Sequence, residues 1–162
     1  MYQWVTFLHI AGVFLFLMAH GISAGVAFQA RKERQLDRLR ALLDFSGASY
    51  KLMYSGLLLL LLTGIINGFI GHWWSFGWIW LSLILLIVII VAMVFMGSRN
   101  FTRVRKAVGA AYMEGNKMHE PGQAASPEEI EAAIQASNPM LLALIGVGGV
   151  LVVAWLMMFK PF

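Results

Sequence analysis

The 162-residue chain contains no cysteine, which excludes disulfides and thiolate metal sites. Charge is scarce: Asp, Glu, Lys and Arg make up 12% of the residues, about half the share of a soluble domain. Residues 1–30, 52–98 and 132–159 carry no charged side chain at all. Carboxylates are missing from every long apolar run, which argues against a proton-coupled carrier. A Ser-His-Asp set, a metalloprotease helix motif and a phosphate loop are also missing, so the chain is not expected to be an enzyme. The formal charge of +4 sits in two short segments, the pattern of an orientation signal and not of a nucleic-acid surface.

What remains is apolar length. About 20 apolar residues cross the hydrocarbon core. The first and third uncharged runs hold one span each. The middle run holds two, broken by Gly71-His72-Trp73-Trp74-Ser75-Phe76-Gly77-Trp78. The spans fall at about 4–28, 52–71, 77–97 and 139–159. The chain is expected to be an all-α, integral-membrane four-helix bundle, one domain over 1–162. The first span has no basic stretch before it and runs directly into a basic segment, so it is read as retained and not as a cleaved signal.

Loop 29–51 carries Arg31, Lys32, Arg34, Arg38, Arg40 and Lys51; loop 98–138 carries Arg99, Arg103, Arg105, Lys106 and Lys117. The positive-inside rule puts both loops in the cytoplasm and both termini outside, in a bacterial inner membrane. Trp4, Trp73, Trp74, Trp78, Trp80 and Trp155 fall near the outer ends of the spans, where amphipathic rings anchor. The basic loops read as helical extensions that also meet anionic headgroups. Span 1 is expected to continue through Leu36, Leu39 and Leu43, and span 3 through Phe101, Val104 and Val108. Ser126-Pro127-Glu128-Glu129 is a capping box, and Asn138-Pro139 repeats its logic before span 4. The small-residue patterns Gly21 to Gly25 and Gly64 to Gly68, with Gly146, Gly148 and Gly149, predict tight packing of spans 1, 2 and 4. Span 3, aliphatic from Leu81 to Val91, is then the one left facing lipid or another subunit.

His9 and His20 carry the chemistry. Ionisable side chains within spans are rare and are functional candidates by default. Eleven residues is three turns plus about 20°, so both rings share a face with Gly12, Ser23, Ala24 and Ala27. Phe7, Phe14, Leu15, Met18 and Ile22 occupy the opposite face. The histidines are therefore expected to face the bundle interior, about 16 Å apart along the axis. That distance forbids one shared metal ion or one haem held from both sides. His72 and Asn67 are the candidate partners for His9, and Met93 and Met96, with Met53 and Tyr54, for His20.

Three readings stay open: haem b with His9 as axial ligand, copper held by His9, His20, Met93 and Met96, or hydrogen bonds between helices and nothing more. His72 reads first as an interfacial residue and second as a ligand; His119 reads as a loop residue. A non-catalytic subunit within a larger membrane complex or homo-oligomer is the reading from another class.

Phe7-Leu8-His9-Ile10, then Ala19-His20-Gly21-Ile22-Ser23-Ala24-Gly25, then Thr63-Gly64 and Trp73-Trp74 before Gly77-Trp78-Ile79-Trp80, resemble small bacterial four-helix integral membrane proteins. Those are distantly similar to the membrane region of copper-resistance protein D and to the haem-dependent protoporphyrinogen oxidase of bacteria. The resemblance implies His9 as a haem ligand and a redox or electron-transfer accessory role. The oxidase's lysine-bearing motif in a later span has no counterpart here, so the resemblance does not extend to porphyrinogen oxidation.

Overall fold

A computed structural model describes residues 2–115 and 117–162. Four helical stretches are long and apolar enough to cross a membrane: Tyr2–Ala30, Leu36–Ile70, Gly77–Ala107 and Pro127–Phe159. The first two are helices α1 and α2. The third is α3 (Gly77–Met93), a π-helical turn (Val94–Ser98) and α4 (Arg99–Ala107). The fourth is α5 (Pro127–Gln135), α6 (Pro139–Ala143), a second π-helical turn (Leu144–Gly148) and α7 (Gly149–Phe159). Two antiparallel strands, β1 (Tyr112–Glu114) and β2 (Lys117–His119), form a hairpin after α4.

α1 packs along α2, α3 packs along α7, and α6 with its π turn joins the two pairs by lying on α1. The basic segments gather at one end of the bundle over a core of Ala30, Leu39, Leu43, Val104, Val108 and Ile134. Arg31 donates to the carbonyls of Gln135 and Ser137, Arg40 to that of Val108, and Arg105 to that of Ala111 and to Asp44. These cations brace loops as well as marking an end. The caps at Ser126 and Asn138 are formed as the sequence predicts, the first with both halves of the capping box.

Three expectations need correction. The leucine-rich basic helix belongs to α2 and not to α1, because residues 31–35 break the chain. Lys32 and Glu33 N–H groups close α1 on the Gln29 carbonyl, and the Glu33 carboxylate then accepts from the Arg34 and Gln35 N–H groups at 2.9 Å each. That local acceptor competes with the helix for backbone donors. Gly21 and Gly25 make no close packing: a Cβ at either would meet nothing within 4 Å. The close approach is at Gly12 and Gly56, where a Cβ would lie 2.8 Å from the Leu60 N and 2.7 Å from the Phe16 N. Finally, α3 is no more exposed than its neighbours. The most apolar window of each of the four stretches is 22% buried, and α3 contributes Trp78, Ile79, Leu86 and Ile89 to the interior.

The wheel argument for α1 holds in part. Gly12 and His20 are buried, and Phe7, Phe14 and Met18 are exposed, but Leu15 and Ile22 are half-buried like Ser23, Ala24 and Ala27, and Leu15 lies against Gly56 of α2.

Candidate functional site

His9 is half-buried between α1 and α2. Its Nδ1 lies 2.9 Å from the Leu60 carbonyl and 3.2 Å from the Thr63 hydroxyl. A carbonyl only accepts, so the short bond fixes the proton on Nδ1 and leaves the lone pair on Nε2. Gly64 makes room for the ring: a Cβ there would stand 3.0 Å from the His9 Cε1. The partners suggested by depth are not used. Asn67 is buried and its Oδ1 accepts from the Thr6 hydroxyl at 3.3 Å. His72 is exposed in the turn after α2, with φ +54°, next to the short helical turn Trp73–Ser75.

His20 is buried to 4% exposure and stacks on Phe16, with ring centroids 6.2 Å apart and planes at 9°. Its Nε2 is buried and has no hydrogen-bond partner among the described residues. Gly146, in the second π turn, closes that side of the ring: a Cβ there would collide with Nε2. Just beyond His20, Ser46, Ser23 and Ser49 join α1 to α2 through hydroxyl contacts of 3.2 and 3.3 Å. Ser46 and Ser49 fall within segment 29–51, read as a loop, and only their small-residue spacing hints that a helix interface passes through them.

The ring of His20 also lines a cleft of about 100 Å³. Phe16, Ser23, Ala24 and Ala27 of α1 form its floor. Tyr50, Met53, Tyr54 and Leu57 of α2 form one wall, and Ile89, Ile90, Met93, Val94, Gly97 and Ser98 form the other. Comparison with protein-family models, with curated proteins and with solved structures finds no match to this chain. The cleft and the two histidines therefore stand on their own geometry.

That geometry brings His20, Met53 and Met93 to one space and leaves Met96 and His9 outside it. His9 and His20 thus stay apart, as their spacing along α1 requires, and of the two methionines named for copper only Met93 shares a space with His20. Among the described residues no group of three His, Asp or Glu side chains gathers. His119 stacks on Tyr112 across the hairpin at 4.6 Å, a contact the loop reading did not include. Tyr50 and both π turns also went unnoticed in the sequence. No residue type marks a π turn, although Gly97, Gly146 and Gly148 fall inside these two.

Proposed function

We propose that the chain is a multi-pass protein of a bacterial inner membrane, with both termini outside, that binds haem b through His9 in a redox accessory role. The supporting observation is the hydrogen bond from His9 Nδ1 to the Leu60 carbonyl. Metal-ligating histidines usually donate their other ring N–H to such an acceptor, which orients the ring and raises its basicity. His9 is also the position that the Phe-Leu-His-Ile resemblance singles out. The basic end and the tryptophan-rich end of the bundle support the orientation.

The fit differs between the two histidines. At His9 the donor chemistry suits an axial ligand, and Nε2 is the atom left to bind. At His20 the cleft of about 100 Å³ is below the roughly 300–1,000 Å³ of small-molecule pockets, and a porphyrin does not fit there. Haem bound at His9 would supply one-electron redox chemistry. The chain itself would hold the imidazole in one tautomer and keep water from its bonded edge through Leu60, Thr63 and Gly64.

Absorption spectroscopy of the protein purified in mild detergent and supplied with haem tests this. A Soret band that His9→Ala removes and His20→Ala retains is the expected result. Protein that takes up no haem, or that co-purifies colourless in a fixed complex with other subunits, would overturn the reading in favour of a scaffold. Stoichiometric copper in haem-free protein would overturn it in favour of metal handling.

A further inference from the structure

We propose that the cleft beside His20 binds the head of a membrane-soluble quinone, a neutral ring bearing two carbonyls, with its hydrocarbon tail leaving between α2 and α3. This site is separate from His9. It rests on the bundle spanning a membrane, and not on haem being bound.

Size and polarity make the first argument. At about 100 Å³ the cleft is smaller than the roughly 150 Å³ cavity that encloses a benzene ring, so it admits part of one ring and no polycyclic group. The cleft extends from Phe16 to Ala27 along α1, about 16 Å by helical rise, which suits a ring with a chain attached. Its lining is mainly apolar, yet His20, Ser23, Tyr50, Tyr54 and Ser98 all reach it. These groups donate hydrogen bonds to a neutral acceptor. No Lys or Arg lines the cleft, so a phosphate headgroup would find no countercharge.

Two further observations concern the surroundings of His20. The ring is 4% exposed, and its unpartnered Nε2 is covered by Gly146, which does not line the cleft, so it is the rest of the ring that borders this space. The first π turn lines the cleft through Val94, Gly97 and Ser98, and the second presses on His20 through Gly146 from outside it. Such turns are frequent at functional sites.

The test is calorimetric titration of the detergent-purified protein with decylubiquinone. Gly97→Leu serves as a cleft-filling variant, since a Cβ at Gly97 finds its nearest neighbour, the Met93 Cε, only at 3.9 Å. Tyr50→Phe/Tyr54→Phe removes donors while keeping shape. Saturable binding at one site per chain is expected, weakened at least tenfold by Gly97→Leu and several-fold by the tyrosine pair, with unchanged melting temperatures. Undiminished affinity in Gly97→Leu, absence of saturable binding, or equal competition by a quinone-free alkane of the same tail length would overturn the proposal. Tight Cu(I) binding that His20→Leu abolishes, with no quinone binding, would reassign the cleft to metal. The Soret band of the His9 site is read separately, so either site can fail alone.

Discussion

His20 and Gly146 meet where α1 passes the second π turn: the glycine lies so close to the imidazole Nε2 that a single added carbon would overlap it. The interior of the bundle is set at this point by a residue with no side chain and one that makes no hydrogen bond. Gly146→Ala must push His20 off Phe16 or displace α6 from α1. Overpacking of this kind costs about 1–3 kcal/mol, so the melting temperature in detergent should fall by several degrees. His20→Ala should restore most of it in the double variant, because the clash goes with the ring. An unchanged melting temperature in Gly146→Ala would show that the two residues are not in contact.

His9 gives the opposite case, a ring with its bond made. Thr63→Val removes the weaker of its two contacts and leaves the Leu60 carbonyl. Interhelical hydrogen bonds in membranes average about 0.6 kcal/mol, so this variant should lose little stability and keep any Soret band. His9→Ala should lose the band entirely. Equal loss of pigment in both variants would mean that the threonine is as necessary as the imidazole and that the Leu60 bond alone does not hold the ring.

The spans, the inward face of α1 and both caps were legible because each depends on local pattern: apolar length, a 3.6-residue period, and a Ser or Asn before proline. The break at 31–35 was not. The leucine periodicity begins only at Leu36, just past the break, and residues 31–35 carry no glycine or proline to mark it; α1 closes on the Gln29 carbonyl, and the turn to α2 is held by one carboxylate, Glu33. The glycines of α1 were misassigned, although Gly64, Gly68, Gly146 and Gly149 do meet close neighbours. Gly21 and Gly25 have the familiar spacing, whereas the working contact pairs Gly12 with Gly56, one from each helix, and no spacing within one helix reveals it. The cleft was half legible. Met93 and Met96 were near His20 by depth, with Met53 and Tyr54 closer to the cytoplasmic edge, and only the packing of the helices brings Met93, Met53 and Tyr54 round a shared space and leaves Met96 out.

Glu33 makes the turn between α1 and α2 sensitive to pH. Two backbone N–H groups, from Gln35 first and Arg34 second, hold its carboxyl below the ordinary carboxylate value. A carboxyl lowered on folding adds stability above its unfolded value, and that stability is lost as the pH falls through the folded value. Glu33→Gln should therefore narrow the difference between melting temperatures at neutral pH and at pH below the ordinary carboxylate range. The side chain is only half-buried, so the effect will be small and salt-sensitive. An identical pH profile in the variant would show that Glu33 does not hold the turn.

At the other end, Lys160 sits with its Nζ 4.1 Å from the Trp73 ring centroid and 5.5 Å from that of Trp78. The residue adopts φ +46°, which turns the chain so that the Phe162 carbonyl accepts from the Trp78 N–H at 3.3 Å. A cation over an indole contributes about 0.5–1 kcal/mol when exposed. Lys160→Gln should lower the melting temperature slightly and shift tryptophan emission, whereas Lys160→Arg should preserve both. An unchanged emission spectrum in Lys160→Gln would place the ammonium in solvent.

The glycine reading of the α1–α2 pair can be decided by four single substitutions. Gly12→Ala and Gly56→Ala each insert a carbon within 3 Å of backbone on the facing helix, and backbone cannot rotate aside as a side chain can. Both helices must then separate along their length, loosening the contacts of His9 with Leu60 and of Ser23 with Ser46 together. Each variant should lose about 1–3 kcal/mol, with strain and lost packing contributing jointly. Gly21→Ala and Gly25→Ala place the same carbon in open space and gain helix propensity of up to about 1 kcal/mol, so they should be neutral or slightly stabilising. The contrast between the pairs is the measurement: thermal unfolding in one detergent, with all four variants side by side. If Gly21→Ala and Gly25→Ala proved the damaging pair, α1 would have to be rotated relative to α2, and His9 and His20 would no longer face the interior.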